Sequence, residues 1–391
     1  MHILIIPSEH FVTEKAPLAG IFQHEQANAL AKAGYKVGVI SVGFITPRYL
    51  FKNYPYKKNE IDNTIHIIRG YRRLLVPHRL HSFNTLKKRY INMFFKNFEK
   101  YINDNGMPDI VHAHNFIFAG FIAQELKSRY KIPYIITEHS TAFARGLVPD
   151  ELNSALKQVC NNAGLTTCVS SPFKSILDER FTISSSVLHN IVDQVFFEKN
   201  LIKNKSENFI FINVALMDEK KNQHMLIKAF ANKFKGQAVT LKVIGDGPLK
   251  TELEQLSEKL EVSNQVEFLG RLPRSSVRDE LLKSHCFVLP SDYETFGVVL
   301  IEALASGLPL IATRCGGPED IVNDKNGILV DVKNQKQLEA AMYNIFTDLT
   351  GSDFNCYTAE KLRQEAEEKF GEDAFVKKVT ELYNIAIHNK Y

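Results

Sequence analysis

Short apolar runs alternate with amphipathic stretches along this chain, twice over, and that alternation constrains the fold more than any other feature. Strand-like runs occupy residues 2–6, 36–42, 65–69, 109–112, 134–137, 165–169 and 186–188, with helix-like stretches at 23–32, 86–103 and 116–127. A second series of strands follows at 209–214, 240–244, 266–269, 286–290, 310–313 and 328–330. Strand then helix, repeated, predicts parallel sheets with helices on both faces. Two such series predict an α/β chain of two Rossmann-like domains, and 391 residues are more than one core usually supports. The joint is expected at 191–208, where a lysine- and asparagine-rich segment breaks the pattern. That leaves an N-terminal domain over 1–190, a C-terminal domain over 209–369, and a last segment, 370–391, whose Phe375, Val379, Leu382, Tyr383 and Ile387 recur at helical spacing.

Composition narrows the class. Hydrophobic residues make up 45% of the chain, enough for ordinary cores, yet no segment approaches the roughly 18 continuous apolar residues of a membrane span. The opening MHILIIPSEH reads as a first strand rather than a signal peptide, so a soluble cytoplasmic protein is expected. Five scattered cysteines without a C-x-x-C pair predict neither a disulfide framework nor a zinc site. Charge is uneven: residues 1–190 carry 23 basic against 14 acidic side chains, and residues 191–391 carry 25 against 30. Much of the basic excess lies in 69–100, where Arg72, Arg73, Arg79, Lys87, Lys88, Arg89, Lys96 and Lys100 alternate with apolar residues. Such a stretch is either a helix with its apolar face on the core or a surface for anionic lipid headgroups or an anionic acceptor. No nucleic-acid-binding signature accompanies the charge, so no nucleic-acid partner is expected.

The stretch 291–317, SDYETFGVVLIEALASGLPLIATRCGG, carries the densest chemistry. Its pattern predicts a loop at 291–297 leading from a buried strand into a helix at 298–306 ended by Gly307. The loop delivers Thr295, Phe296 and Gly297 to a helix N-terminus, where free N–H groups and the helix dipole favour phosphate and a glycine permits close approach. Glu294 precedes that helix and Glu302 lies within it, so the first can reach a sugar and the second can accept ribose hydroxyls. A second strand-to-helix turn follows at Gly316, Gly317 and Pro318.

The whole string resembles the E-x7-E signature of the retaining glycosyltransferases of family 4, which have the two-domain GT-B fold with its domains facing a central cleft. The resemblance implies that Glu294 contacts donor-sugar hydroxyls, that Glu302 binds the ribose, and that Thr295, Phe296 and Gly297 give backbone contacts to the diphosphate. It also implies that the loop 16–20 after the first strand, Gly20 in particular, approaches the donor phosphates. His139, ending the run PYIITEH, matches the histidine that faces the donor sugar, and His112 and His114 match a recurring pair. In the second half the family carries an Arg and then a Lys after the strand 209–214; Lys221 fits the second position, while Leu216 stands where the Arg is expected and Lys220 is only a point charge nearby. Gly245 and Gly247 in GDGP, and Arg271 in GRLP, fall where relatives hold the nucleotide. The last helix resembles the one that in this fold returns to the first domain.

These residues lead to the expectation of a retaining hexosyltransferase that takes a UDP-, GDP- or ADP-sugar as donor, without an obligatory cofactor or metal. The expected acceptor is a glycan or lipid-linked saccharide in surface-polysaccharide or glycoconjugate synthesis, reached through peripheral contact with an anionic membrane. The alternatives are a non-catalytic GT-B partner, suggested by Leu216, and a sugar-nucleotide epimerase or hydrolase. A nicotinamide dehydrogenase is disfavoured, because no G-x-G-x-x-G follows the first strand.

Overall fold

A computed structural model of the chain describes residues 1–7, 10–13, 19–45, 59–73, 81–198, 208–351 and 357–388. In the first half, the strands are β1 (His2–Ile6), β2 (Lys36–Ile45), β3 (Asn59–Asp62), β4 (Ile65–Arg73), β5 (Ile110–His114), β6 (Tyr134–Glu138), β7 (Leu165–Cys168) and β8 (Ser186–Val187). Between them run helices α1 (Ile21–Lys32), α2 (Phe83–Asn105), α3 (Phe121–Tyr130), the short α4 (Thr141–Ala144), α5 (Asn153–Asn162) and α6 (Ser171–Phe181). The second half adds strands β9 (Phe209–Val214), β10 (Val239–Ile244), β11 (Val266–Gly270), β12 (Cys286–Leu289), β13 (Leu310–Thr313) and β14 (Gly327–Val330). Its helices are α7 (Gln223–Phe234), α8 (Lys250–Lys259), α9 (Arg274–Lys283), α10 (Val298–Ala305), α11 (Pro318–Ile321), α12 (Gln335–Thr350), α13 (Ala359–Phe370) and α14 (Glu372–His388).

The strands form two sheets, ordered β3-β4-β2-β1-β5-β6-β7-β8 and β11-β10-β9-β12-β13-β14. In the second sheet all neighbours pair in parallel, and its order reverses between β9 and β12, the arrangement of a dinucleotide-binding sheet. The same reversal falls between β1 and β5 in the first sheet. Central strands β1, β5 and β6 are buried at every position, as a parallel sheet covered on both faces requires. In the second sheet, Phe211, Leu241, Val243, Val288 and Ile311 share one core with Leu226, Phe230 and Phe234 of α7 and with Leu338 and Met342 of α12.

Two local expectations need correction. The first sheet is not purely parallel: β3, absent from the sequence reading, pairs antiparallel with β4 at the edge. The helix expected over 116–127 begins only at Phe121, because Asn115 (φ 70°) and Phe118 (φ 61°, ψ −62°) hold positive φ and make an irregular turn. The helix expected in the last segment is α14, which follows α13 across Gly371.

By contacts the chain divides into two units. One comprises the described parts of Met1–Val169, Phe173–Asn190 and Phe375–Tyr391; the other comprises Ser170–Pro172 and Ile191–Ala374. The last helix therefore belongs to the first unit from Phe375 onward, where Phe375, Val379, Leu382 and Tyr383 are buried. Among the described residues no helix is long and apolar enough to cross a membrane. Helix α2 buries Leu86, Met93, Phe94, Phe95, Phe98 and Tyr101, and it exposes Lys88, Arg89, Lys96 and Lys100, so its apolar stripe is core. Arg79 lies outside the described residues.

Candidate functional site

In the second unit the loops after β9 and β12 leave the sheet side by side at the point where strand order reverses, the place where open α/β sheets bind ligands. The Asp292 amide donates to the Lys220 carbonyl at 2.7 Å and Asn222 Nδ2 donates to Asp292 Oδ1 at 3.1 Å, which ties the two loops together. The tie brings Lys221 Nζ onto Glu294 Oε1, an ion pair between two largely buried side chains. Ser291 Oγ donates to the same oxygen at 3.0 Å. Lys220 lies 3.7 Å from Asp218 instead. Leu216 is 54% exposed, and its carbonyl accepts from Gln223 Nε2.

The backbone of Glu294 is clamped from the other side by the loop after β13. Its amide donates to Cys315 O, and its carbonyl accepts from the Gly317 amide at 2.8 Å. A Cβ on Gly317 would sit 2.2–2.5 Å from the N, Cα and O of Phe296, so only glycine lets these loops stack. The Phe296 ring is buried, 5.8 Å from the Phe370 ring, so within 295–297 this residue can present only its backbone outward. Thr295 O accepts from Ser170 Oγ at 2.7 Å, and Gly297, in the left-handed region at φ 97°, opens α10.

Eight residues after Glu294, the buried Glu302 accepts from Arg274 Nη2 at 2.6 Å through Oε1. Arg274, the first residue of α9, also lies 3.6 Å from Asp193 Oδ2 and 5.3 Å over the Phe196 ring. Burial pushes the Glu302 carboxyl up, against the pull of the guanidinium. The two glutamates are thus held alike. Each has Oε1 fixed by a cation, while Oε2 accepts no hydrogen bond among the described residues.

The remaining sequence candidates of this unit take other positions. Gly245 and Gly247 lie against the loop after β9: a Cβ would meet Ala215 O at 1.8 Å or Met217 O at 2.3 Å, and Met217 N donates to Asp246 O. Close backbone packing by itself accounts for both glycines. Arg271 is exposed and makes no ion pair among the described residues, whereas Arg274, three residues on, meets Glu302.

In the first unit three imidazoles gather at the carboxyl ends of β5 and β6. His114 Nδ1 and His139 Nε2 are 2.9 Å apart, and the His112 ring stacks on that of His114 at 4.3 Å. The hydrogen-bond directions around His112 follow from counting protons. Thr167 Oγ1 spends its proton on Ile136 O, so Thr137 donates to Thr167, His112 Nε2–H donates to Thr137, and His112 Nδ1 accepts from the Tyr383 hydroxyl at 2.8 Å. Burial lowers His112 and His139 to about 3, so both are neutral at pH 7. Beneath them the fully buried Glu138 accepts backbone N–H bonds from Phe116, His139 and Ser140, and burial lifts its carboxyl to about 7. Gly20, left-handed at φ 64°, starts α1 beside His10 O and Gln23. Of its loop, Ala16, Pro17 and Leu18 lie outside the described residues.

Residues 194–369 match the family of glycosyl transferases group 1, and residues 19–195 match Glycosyltransferase Family 4. The chain is a family 4 glycosyltransferase. It is 26% identical over 384 residues to an uncharacterized glycosyltransferase of Methanocaldococcus jannaschii, covering 92% of each chain. To the N-acetyl-alpha-D-glucosaminyl L-malate synthase of Bacillus anthracis it is 25% identical, over 70% of this chain and 74% of that one. Sucrose-phosphate synthase from Thermosynechococcus elongatus superposes with a TM-score of 0.76 at 21% identity, covering 98% of both chains. Anabaena HepE, solved with UDP and glucose, superposes at 0.72 and 17%, covering 98% of this chain and 99% of that one. The glycosyltransferase thus has the GT-B fold, with two parallel-sheet α/β domains.

Sequence reasoning missed several partners in the glycosyltransferase. No role was assigned to Arg274, Ser291, Glu138 or Tyr383; Ser291 and Glu138 are sequence neighbours of Glu294 and His139, whereas only the fold brings Arg274 to Glu302 and Tyr383 to His112. A cation at the first turn of a helix is unfavourable to the helix dipole, so Arg274 at the start of α9 was the one signal available.

Proposed function

We propose that this glycosyltransferase moves a hexosyl group, with retention, from a nucleoside-diphosphate sugar to a glycan or lipid-linked saccharide. The observation that carries this reading is the matched pair of glutamates, each with one oxygen tied to a cation and the other without a hydrogen bond among the described residues, on either side of the Gly297 helix start. In this reading Glu294 Oε2 accepts from the sugar hydroxyls and Glu302 Oε2 from the ribose. The backbone at Thr295, Phe296 and Gly297 meets the diphosphate, helped by Lys221, while Gly245, Gly247 and Arg271 line the nucleotide side. The acceptor oxygen bonds to the anomeric carbon on the face from which the phosphate departs, and the acceptor proton passes to the leaving phosphate oxygen. In the first unit, His139 contributes as a neutral imidazole that donates or accepts a hydrogen bond, and Gly20 leaves room for phosphate. The names of relatives support the donor class: HepE was solved with UDP, and the starch synthase IV of Arabidopsis thaliana was solved with ADP.

The exposed basic face of α2 supports an anionic acceptor or lipid surface, by charge alone since its apolar stripe is core. A second reading, a non-catalytic partner of an active enzyme, is favoured by Leu216, an exposed apolar side chain where a phosphate-binding Arg is expected.

Thermal melting with UDP, GDP, ADP and CMP separates these readings. A donor nucleotide at about a hundred times its dissociation constant adds about 2.7 kcal/mol of stability. Stabilisation by one diphosphate that Glu302→Ala removes is the expected result, followed by transfer from the matching sugar nucleotide. Stabilisation without transfer or hydrolysis would favour the partner reading, and no shift with any nucleotide would refute the donor site.

A further inference from the structure

Glu302 is held by more than its own helix. Its Oε1 is taken by Arg274 at 2.6 Å, and the guanidinium is itself fixed on two further sides, by Asp193 at 3.6 Å and by the Phe196 ring at 5.3 Å. Among the described residues Glu302 Oε2 accepts no hydrogen bond, and the residue is 8% exposed. We propose that Arg274 is a positioning residue for nucleotide recognition, locking Glu302 Oε1 so that Oε2 alone is aimed at the vicinal hydroxyls of the ribose and selects ribonucleotides over deoxyribonucleotides. This inference rests on the reading of Glu302 as the ribose contact.

The geometry gives the physical reason. A carboxylate buried to this degree pays for desolvation in its charged form, and a guanidinium at hydrogen-bond distance is what keeps it a pure acceptor. Arg274 from α9 and Asp193 from the segment before Gln194–Phe197 are the charged groups that act on it. The other elements packed on α10 direct their charges elsewhere. Arg363 of α13 donates to Ser306 O, Glu319 of α11 accepts from the Gly316 amide, and Asp320 accepts from the Ser171 amide. Strands β12 and β13 carry no charged residue. Burial already outweighs the guanidinium, and without Arg274 that opposing pull is lost, so Glu302 takes up a proton at still higher pH. A protonated carboxyl turns one acceptor into a donor and loses the charge that strengthens its bonds to hydroxyls.

The test is the affinity of the full-length protein for UDP, ADP and GDP, each against its 2′-deoxy counterpart, between pH 5.5 and 8.5, with circular dichroism to verify folding. Arg274→Met removes both the lock and the charge, so the ribonucleotide preference is expected to be weakened about tenfold already at pH 8.5 and to fall about tenfold further by pH 6, while the wild type changes far less over that range. Arg274→Lys retains the charge but not the fork, so its pH profile follows the wild type with the preference weakened about tenfold throughout. Glu302→Gln loses the preference at every pH. Arg274→Lys or a folded Arg274→Met indistinguishable from wild type, alongside a defective Glu302→Gln, would overturn the role of Arg274 alone. An unaltered preference in Glu302→Gln would instead refute the ribose reading and the inference with it.

Discussion

Lys221 and Glu294 lie 73 residues apart in sequence and meet as a largely buried ion pair, with Ser291 on the same oxygen. Removing one member of such a pair strands the other charge, whereas removing both can be nearly neutral. Lys221→Met is therefore expected to destabilise the protein by about 3 kcal/mol in urea unfolding, and Lys221→Met with Glu294→Leu to regain most of that without regaining transfer. Equal instability of the single and double variants would show that the pair is not what holds these loops. Glu138 offers a second residue-scale prediction. Its folded value of about 7 lies above the ordinary 4.5, so the native state binds the extra proton between those values and this group's contribution to stability falls as pH rises through them. His112 and His139, lowered to about 3 from 6.5, act in the opposite sense: their contribution is present above about 6.5 and is lost as pH falls. Glu138→Gln removes the opposing contribution, so its loss of stability from pH 7 to pH 5 should exceed that of the wild type by about 1–3 kcal/mol. An unsteepened pH profile would remove Glu138 from this balance.

At the scale of elements, the site depends on two loops stacked backbone to backbone. Gly317 has ordinary helical φ, so its need for glycine comes from space and not from conformation: the Phe296 backbone fills the position a Cβ would take. Gly317→Ala is expected to cost about 1–3 kcal/mol by overpacking and to weaken nucleotide binding, because the push falls on the turn into α10. Wild-type stability and binding in this variant would mean that the loop yields freely. The turn after β5 shows why element boundaries were only partly readable. Apolar spacing over 116–127 suits a helix, yet Phe118 stacks on Tyr90 of α2 at 4.0 Å and the Phe116 amide is bound by Glu138, 22 residues away. Those partners hold Asn115 and Phe118 at positive φ, a conformation no local periodicity encodes. The edge strand β3 was missed for a related reason: Asn59–Asp62 is short and polar, and it is a strand only because β4 is beside it.

At the scale of the whole molecule, the first unit takes in both ends of the chain. Strand β1 and the residues of α14 from Phe375 onward belong to it, and a Cβ on Gly164 would lie 2.7 Å from that of Ala386. The Tyr383 hydroxyl also completes the chain of hydrogen bonds that fixes His112. A protein ended after Gly371 should therefore lose the amide-exchange protection of β5 and β6 while β9 and β12 keep theirs; undiminished protection in β5 and β6 would show that α14 is dispensable. The sequence by itself determined the two sheets, most strand positions and the stretch from Glu294 to Glu302, because these are set by local periodicity and by spacing along one loop and one helix. Only the tertiary structure decided that Lys221 meets Glu294, that Arg274 and not Arg271 meets Glu302, and that Tyr383 reaches His112. Each of those contacts joins segments far apart in the chain, and strand order and packing, which no local pattern records, bring them together.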